Sequence, residues 1–97
     1  MRALNKIGRG MGQVALQEQD VRRPQSDEML IKVKVSGLCG TDMSVYKGAG
    51  AYAERMSFPT TLGHEAVGEI VELGTENSHL QVGDLVSLES HIPCWTC

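Results

Sequence analysis

Met29-Leu30-Ile31-Lys32-Val33-Lys34-Val35-Ser36 is the stretch on which the fold turns. Met29, Ile31, Val33 and Val35 alternate with Leu30, Lys32, Lys34 and Ser36, and a period of two puts the two sets on opposite faces of an extended strand. The pattern predicts a half-buried strand with its lysines turned to solvent. Working outward, residues 2–7 and 13–19 read as two strands separated by Gly8, Gly10 and Gly12, a hairpin-like opening in which Val14 and Leu16 share a face. After the central strand, Gly37 and Gly40 bracket Leu38 and Cys39, and Thr41 or Asp42 is placed to cap a short helix through Tyr46 and Lys47 that Gly48 stops. Residues 48–59 are polar and irregular and predict a surface loop. Gly63-His64-Glu65 opens a further strand whose apolar load falls on Val67, Ile70, Val71 and Leu73. Residues 74–78 and Val82-Gly83-Asp84 predict turns, and residues 85–88 a last short strand. Short strands divided by glycine turns, with one short helix, predict a mostly β, barrel-like domain.

Length and composition bound what such a domain does. A chain of 97 residues buries roughly two-thirds of its unfolded surface on folding, enough for one modest core. It is one domain or part of one. The formal net charge of −3 comes without a basic run, so there is no electrostatic footprint for nucleic acid or an anionic membrane. Aromatics at 4% argue against a base-stacking platform. No apolar run approaches the ~20 residues of a bilayer span, and no charged-then-apolar N-terminus reads as a signal peptide. The expectation is a soluble, cytoplasmic protein.

The three cysteines do not fit a disulfide framework: their number is odd and no secretion signal precedes them. Cys39, His64 and Glu65 match by type the thiolate, imidazole and carboxylate donors of a catalytic zinc, which takes three protein ligands and keeps one position open. Taken singly they have ordinary readings too, a small core cysteine and a hydrogen-bonded histidine at a strand start. Cys94-Trp95-Thr96-Cys97 reads as half of a structural zinc site, as a redox dithiol, or as two inert thiols. His79 lies in a polar turn and faces solvent. His91 follows the last strand and either lies on the surface or faces the same cavity as Cys39. Lys32 and Lys34 make a solvated face, and Glu69, Glu72 and Glu76 solubilise their strand and turn. Gly8-Arg9-Gly10-Met11-Gly12 lacks the spacing and the βαβ context of a nucleotide loop, which argues against a phosphate role.

In order, Gly37-Leu38-Cys39-Gly40-Thr41-Asp42, Gly63-His64-Glu65-Ala66-Val67-Gly68-Glu69-Ile70-Val71, Val82-Gly83-Asp84-Leu85-Val86 and Cys94-x-x-Cys97 resemble the N-terminal, GroES-like catalytic domain of zinc-dependent medium-chain dehydrogenases. The resemblance covers nearly the whole chain. It implies a partly open β-barrel with a short helix, here truncated and without the Rossmann domain, so that residues 1–97 form the N-terminal part of that catalytic domain and end inside its structural-zinc lobe. It further implies that Cys39 and His64 are catalytic zinc ligands, that Glu65 is a neighbour able to coordinate in some states, and that another ligand lies beyond residue 97. Thr41 matches the hydroxyl that starts the family's proton relay. Ser44 stands where many members carry the relay's histidine, a departure that leaves the second step without its imidazole. Cys94 and Cys97 match the first two of four structural-zinc cysteines. Leu88-Glu89-Ser90-His91-Ile92-Pro93-Cys94 is most similar to threonine 3-dehydrogenases and their polyol dehydrogenase relatives, in which a histidine at the place of His91 lies near the substrate.

The resemblance thus implies an enzyme that oxidises a small polar secondary alcohol with zinc, and with NAD or NADP held by a domain absent from these residues. It implies a homo-oligomer for the full-length protein and no turnover from the 97 residues alone. Two rivals remain at this point: a stand-alone β-barrel binding or assembly module that kept the fold without the reaction, and a small dithiol redox protein using Cys94 and Cys97.

Overall fold

A computed structural model describes residues 1–77 and 79–97. Strands dominate, accompanied by two short helices: β1 (Arg2–Lys6), β2 (Val14–Glu18), β3 (Met29–Gly37), α1 (Gly40–Lys47), α2 (Ala51–Arg55), β4 (Thr60–Thr61), β5 (Glu65–Leu73) and β6 (Leu85–Ser87). They form two open three-stranded sheets, ordered β2-β1-β4 and β3-β5-β6, each within its own compact unit. The predicted mostly β class holds. Among the described residues no ladder closes either sheet into a barrel.

The first unit comprises Met1–Arg22 and Leu38–Gly63. β1 and β2 pair antiparallel from Arg2↔Glu18 to Lys6↔Val14, as the hairpin reading required. Their glycine-rich loop is organised by a side chain the pattern did not single out. Lys6 is fully buried, and its Nζ donates to the carbonyls of Gly10, Gly12 (3.0 Å) and Tyr46 (3.2 Å). A buried ammonium needs such acceptors, and Tyr46 O lies in the last turn of α1, where the helix dipole is negative. The loop glycines therefore turn carbonyls inward to a lysine, an arrangement opposite to the inward N–H groups of a phosphate cradle. Arg9 in the same loop donates to the Ala53 and Glu54 carbonyls at 3.4 and 3.1 Å and stacks over Phe58, 5.6 Å from the ring centroid.

α1 ends where glycine was expected to stop it. Gly48 is left-handed (φ 70°), its N–H bonds Val45 O at 3.0 Å, and a Cβ there would overlap the Arg9 carbonyl. The start differs from expectation: Gly40 is already helical, so Cys39 is the N-cap residue and Asp42 occupies the third helical position. Residues 48–59 are not all loop either, since Ala51–Arg55 forms α2. Asn5 is 2% exposed and sits in a polar cluster: its Nδ2 donates to Gln17 Oε1 at 2.8 Å, and Thr61 Oγ1 donates to its Oδ1 at 2.9 Å. Ala3, Val45 and Ala53 are the buried apolar side chains of this unit, so its interior is held as much by polar contacts as by apolar ones.

The second unit comprises Arg23–Gly37 and His64–Cys97. β3 pairs antiparallel with β5 from Met29↔Leu73 to Gly37↔Glu65, with register shifts at Leu30/Ile31 and Val33/Val35. β6 adds three pairs on the other side of β5, from Val67↔Ser87 to Glu69↔Leu85. The predicted Gly83 turn is present and is tied by Asp84, whose Oδ2 accepts Gln81 N–H at 2.9 Å and whose carbonyl accepts Ile70 N–H at 3.0 Å. The turn expected at 74–78 is formed at Thr75 and Glu76; Ser78 lies outside the described residues.

Burial along β3 corrects the half-buried expectation. Met29, Leu30 and Ile31 are half-buried, whereas Val33 and Val35 are 54% and 66% exposed. Period-two alternation fixes which residues share a face; it does not supply a layer to cover that face. Likewise β5 buries Ala66 and Ile70, while Val67 and Val71 remain exposed. Lys34 faces solvent as predicted and pairs with Glu69 at 3.0 Å.

Candidate functional site

In the first unit, Cys39 is half-buried with extended backbone (φ −86°, ψ 158°), beside the partially positive N-terminus of α1. Its N–H donates to Asp42 Oδ2 at 3.0 Å, the backward arm of a capping box. The other oxygen of Asp42, Oδ1, accepts Gly63 N–H at 3.4 Å. One carboxylate that is only 5% exposed thus fastens the Cys39 backbone to the peptide immediately preceding His64. Thr41 Oγ1 lies 3.6 Å from Cys39 Sγ, so the hydroxyl and the sulfur are neighbours. Ser44 is half-buried and donates its hydroxyl proton to the Gly40 carbonyl one turn back at 3.2 Å, leaving its oxygen available as an acceptor.

In the second unit, His64 and Glu65 stand at the head of β5 and line a cavity of about 330 Å³. Val35 and Val67 supply its apolar side, and Ser87 and Ser90 its hydroxyls. The cross-strand pair Gly37↔Glu65 lies at its edge, and Cys39 follows Gly37 by two residues along the chain. Within the second unit, register therefore puts Glu65 and Gly37 together at one end of the β3–β5 ladder.

His91 does not line that cavity; its neighbour Ser90 does. The His91 side chain is 89% exposed, with Nδ1 3.1 Å from Ser90 Oγ and 3.4 Å from Glu89 Oε1. Hydrogen bonds from the His91 backbone and ring hold the Glu89 carboxyl below its ordinary pKa. His79 is exposed, as expected. Cys94 and Cys97 are both exposed, and hydrogen bonds from the Cys97 thiol and from Thr96 pull the Cys94 thiol down to about 6. A lowered thiol pKa favours the thiolate, the form that binds metal.

Sequence reasoning missed the full role of Asp42. The Cys39-x-x-Asp42 spacing, a capping box with sulfur in place of a hydroxyl, was the available signal. Nothing local signalled the bond to Gly63. From the sequence Lys6 is assigned no role, because its carbonyl acceptors come from the loop that follows and from Tyr46, 40 residues away.

With the geometry in place, comparison with known proteins defines the class as a GroES-like β domain of the dehydrogenases. Residues 25–97 match the family model of the alcohol dehydrogenase GroES-like domain, and the chain belongs to that family. It is 41% identical over all 97 residues to the L-threonine 3-dehydrogenase of Thermococcus kodakarensis, covering 27% of that protein. Among solved structures it is similar to the alcohol dehydrogenase TADH of Thermus sp. ATN1 (TM-score 0.82, 34% identity, 100% of this chain and 27% of that one). It is also similar to the galactitol-1-phosphate dehydrogenase of Escherichia coli (TM-score 0.81, 31% identity, 100% and 27%). The chain spans about a quarter of the length of the curated relatives it matches.

Proposed function

We propose that the chain is the N-terminal part of a zinc-dependent, NAD(P)-linked dehydrogenase acting on a small polar secondary alcohol of the threonine or polyol kind. The observation that carries this is the likeness of all 97 residues to L-threonine 3-dehydrogenase at 41% identity. Cys39, His64 and Glu65 are the residues assigned to the metal. Their donors are the types zinc takes, and the Asp42 carboxylate fixes the backbone at Cys39 and at Gly63, directly ahead of His64. Zinc bound by these groups supplies Lewis acidity toward a substrate hydroxyl, and a nicotinamide from a further domain supplies the hydride acceptor.

The chain's own residues do the rest. Val35 and Val67 give one side of the cavity an apolar surface, while the Ser87 and Ser90 hydroxyls offer hydrogen bonds to a polar substrate. Thr41, adjacent to the Cys39 sulfur, accepts the substrate hydroxyl proton and donates its own onward. Ser44, three residues further on the same helix, is the next acceptor, with a hydroxyl where many relatives have an imidazole. His91 lies outside the cavity lining, next to Ser90 on its wall, and is assigned to the substrate side from that neighbouring position alone. Cys94 and Cys97 provide two of the four thiolates of a structural zinc. The full-length protein is a homo-oligomer.

Metal analysis of the purified 97-residue chain tests the assignment. Zinc that survives dialysis in the wild type and is lost from the Cys39→Ser, His64→Ala double variant supports it. Equal retention by both, with loss only on Cys94→Ser, would mean that the catalytic site is not where it is placed.

A further inference from the structure

Gly37 and Glu65 oppose each other at the end of the β3–β5 ladder, and both line the cavity. Directly opposed residues of an antiparallel pair project to the same face with Cβ atoms about 5 Å apart. Position 37 carries no Cβ, and the Glu65 side chain occupies the room this leaves. A Cβ built on Gly37 would lie 3.0 Å from Glu65 Oε2 and 3.4 Å from Glu65 Cβ, closer to the carboxylate than ordinary van der Waals contact. The backbone does not call for glycine here, since Gly37 is not among the residues with positive φ. What position 37 requires is space.

We propose that Gly37 is a positioning residue for Glu65: its missing side chain lets the Glu65 carboxylate fold across β3 onto the cavity wall, where a larger residue would displace it. The first consequence is geometric and needs no metal. The second rests on the assignment of Glu65 to zinc: a carboxylate held against the wall is available to the ion, and one displaced from it is not.

The two consequences are read separately. In the metal-free wild type, NMR is expected to show NOEs between the Gly37 Hα protons and the Glu65 Hγ protons; their absence overturns the proposal whatever the metal does. Zinc affinity is then measured by competition with a chromophoric chelator. Gly37→Ala is expected to weaken binding about tenfold in the wild-type background, the lower range for loss of a group that orients a ligand. The effect is expected to disappear in a Glu65→Ala background. An equal loss in both backgrounds marks general damage to the strand pair and overturns the proposal, as does no loss in either. Wild-type protein that shows the NOEs and binds no zinc refutes the metal assignment instead, leaving the placement of Glu65 standing.

Discussion

Asp42 shares its two carboxylate oxygens between the N–H of Cys39 and the N–H of Gly63, so a single side chain fixes two segments that carry proposed ligands. Bonds of this charge-assisted kind contribute roughly 1.5–3 kcal/mol each. Asp42→Ala is accordingly expected to lower unfolding stability by about 3 kcal/mol in urea titration and to reduce zinc retention with it; unchanged zinc content in a destabilised variant would separate the two roles. Lys6 makes a parallel case. Lys6→Met keeps the side-chain volume but leaves the Gly10, Gly12 and Tyr46 carbonyls without their ammonium donor, with an expected loss of about 3 kcal/mol by the same titration. The ligand types were legible in the sequence because chemistry is written in residue identity: Cys39, His64, Glu65, Cys94 and Cys97 are recognisable by name and spacing. The contacts of Asp42 with Gly63 and of Lys6 with Tyr46 were not, because each joins residues far apart in the chain.

At the scale of elements, α1 is set between a sulfur-bearing N-cap and a left-handed Gly48 packed under the hairpin loop. Gly48→Ala incurs both the left-handed backbone cost and the overlap with the Arg9 carbonyl, for an expected destabilisation of about 2 kcal/mol. Hydrogen exchange should show it first at the Ala49 amide, which bonds Ser44 O at 3.0 Å; unchanged protection there would contradict the packing described. The hairpin, β3, α1 and β5 were all legible, since each rests on a local pattern: glycines between strands, alternation, a helix stop. α2 was not, because its five residues carry little pattern and its C-terminal carbonyls are held by Arg9 from another part of the chain. The exposure of Val33 and Val35 was equally hidden. β6 pairs only three residues with β5, and a strand's own sequence does not report what covers it.

For the molecule as a whole, the chain folds into two compact units with few buried apolar side chains, and it spans about a quarter of the length of its relatives. Among the described residues, the outer strands of both sheets leave edges open. The thermal melt of the 97-residue chain is therefore expected to be broad, with a van't Hoff enthalpy well below the calorimetric one; a sharp transition with equal enthalpies would contradict this. Turnover of L-threonine with NAD by the same chain is expected to be undetectable, because no nucleotide-binding fingerprint occurs in its sequence. The proposed catalytic zinc site of Cys39 and His64 is tested most directly by a crystal structure of the zinc-loaded chain, with data collected at the zinc absorption edge. An anomalous peak coordinated by Cys39 Sγ and a His64 ring nitrogen is expected. A peak confined to Cys94 and Cys97 would contradict it.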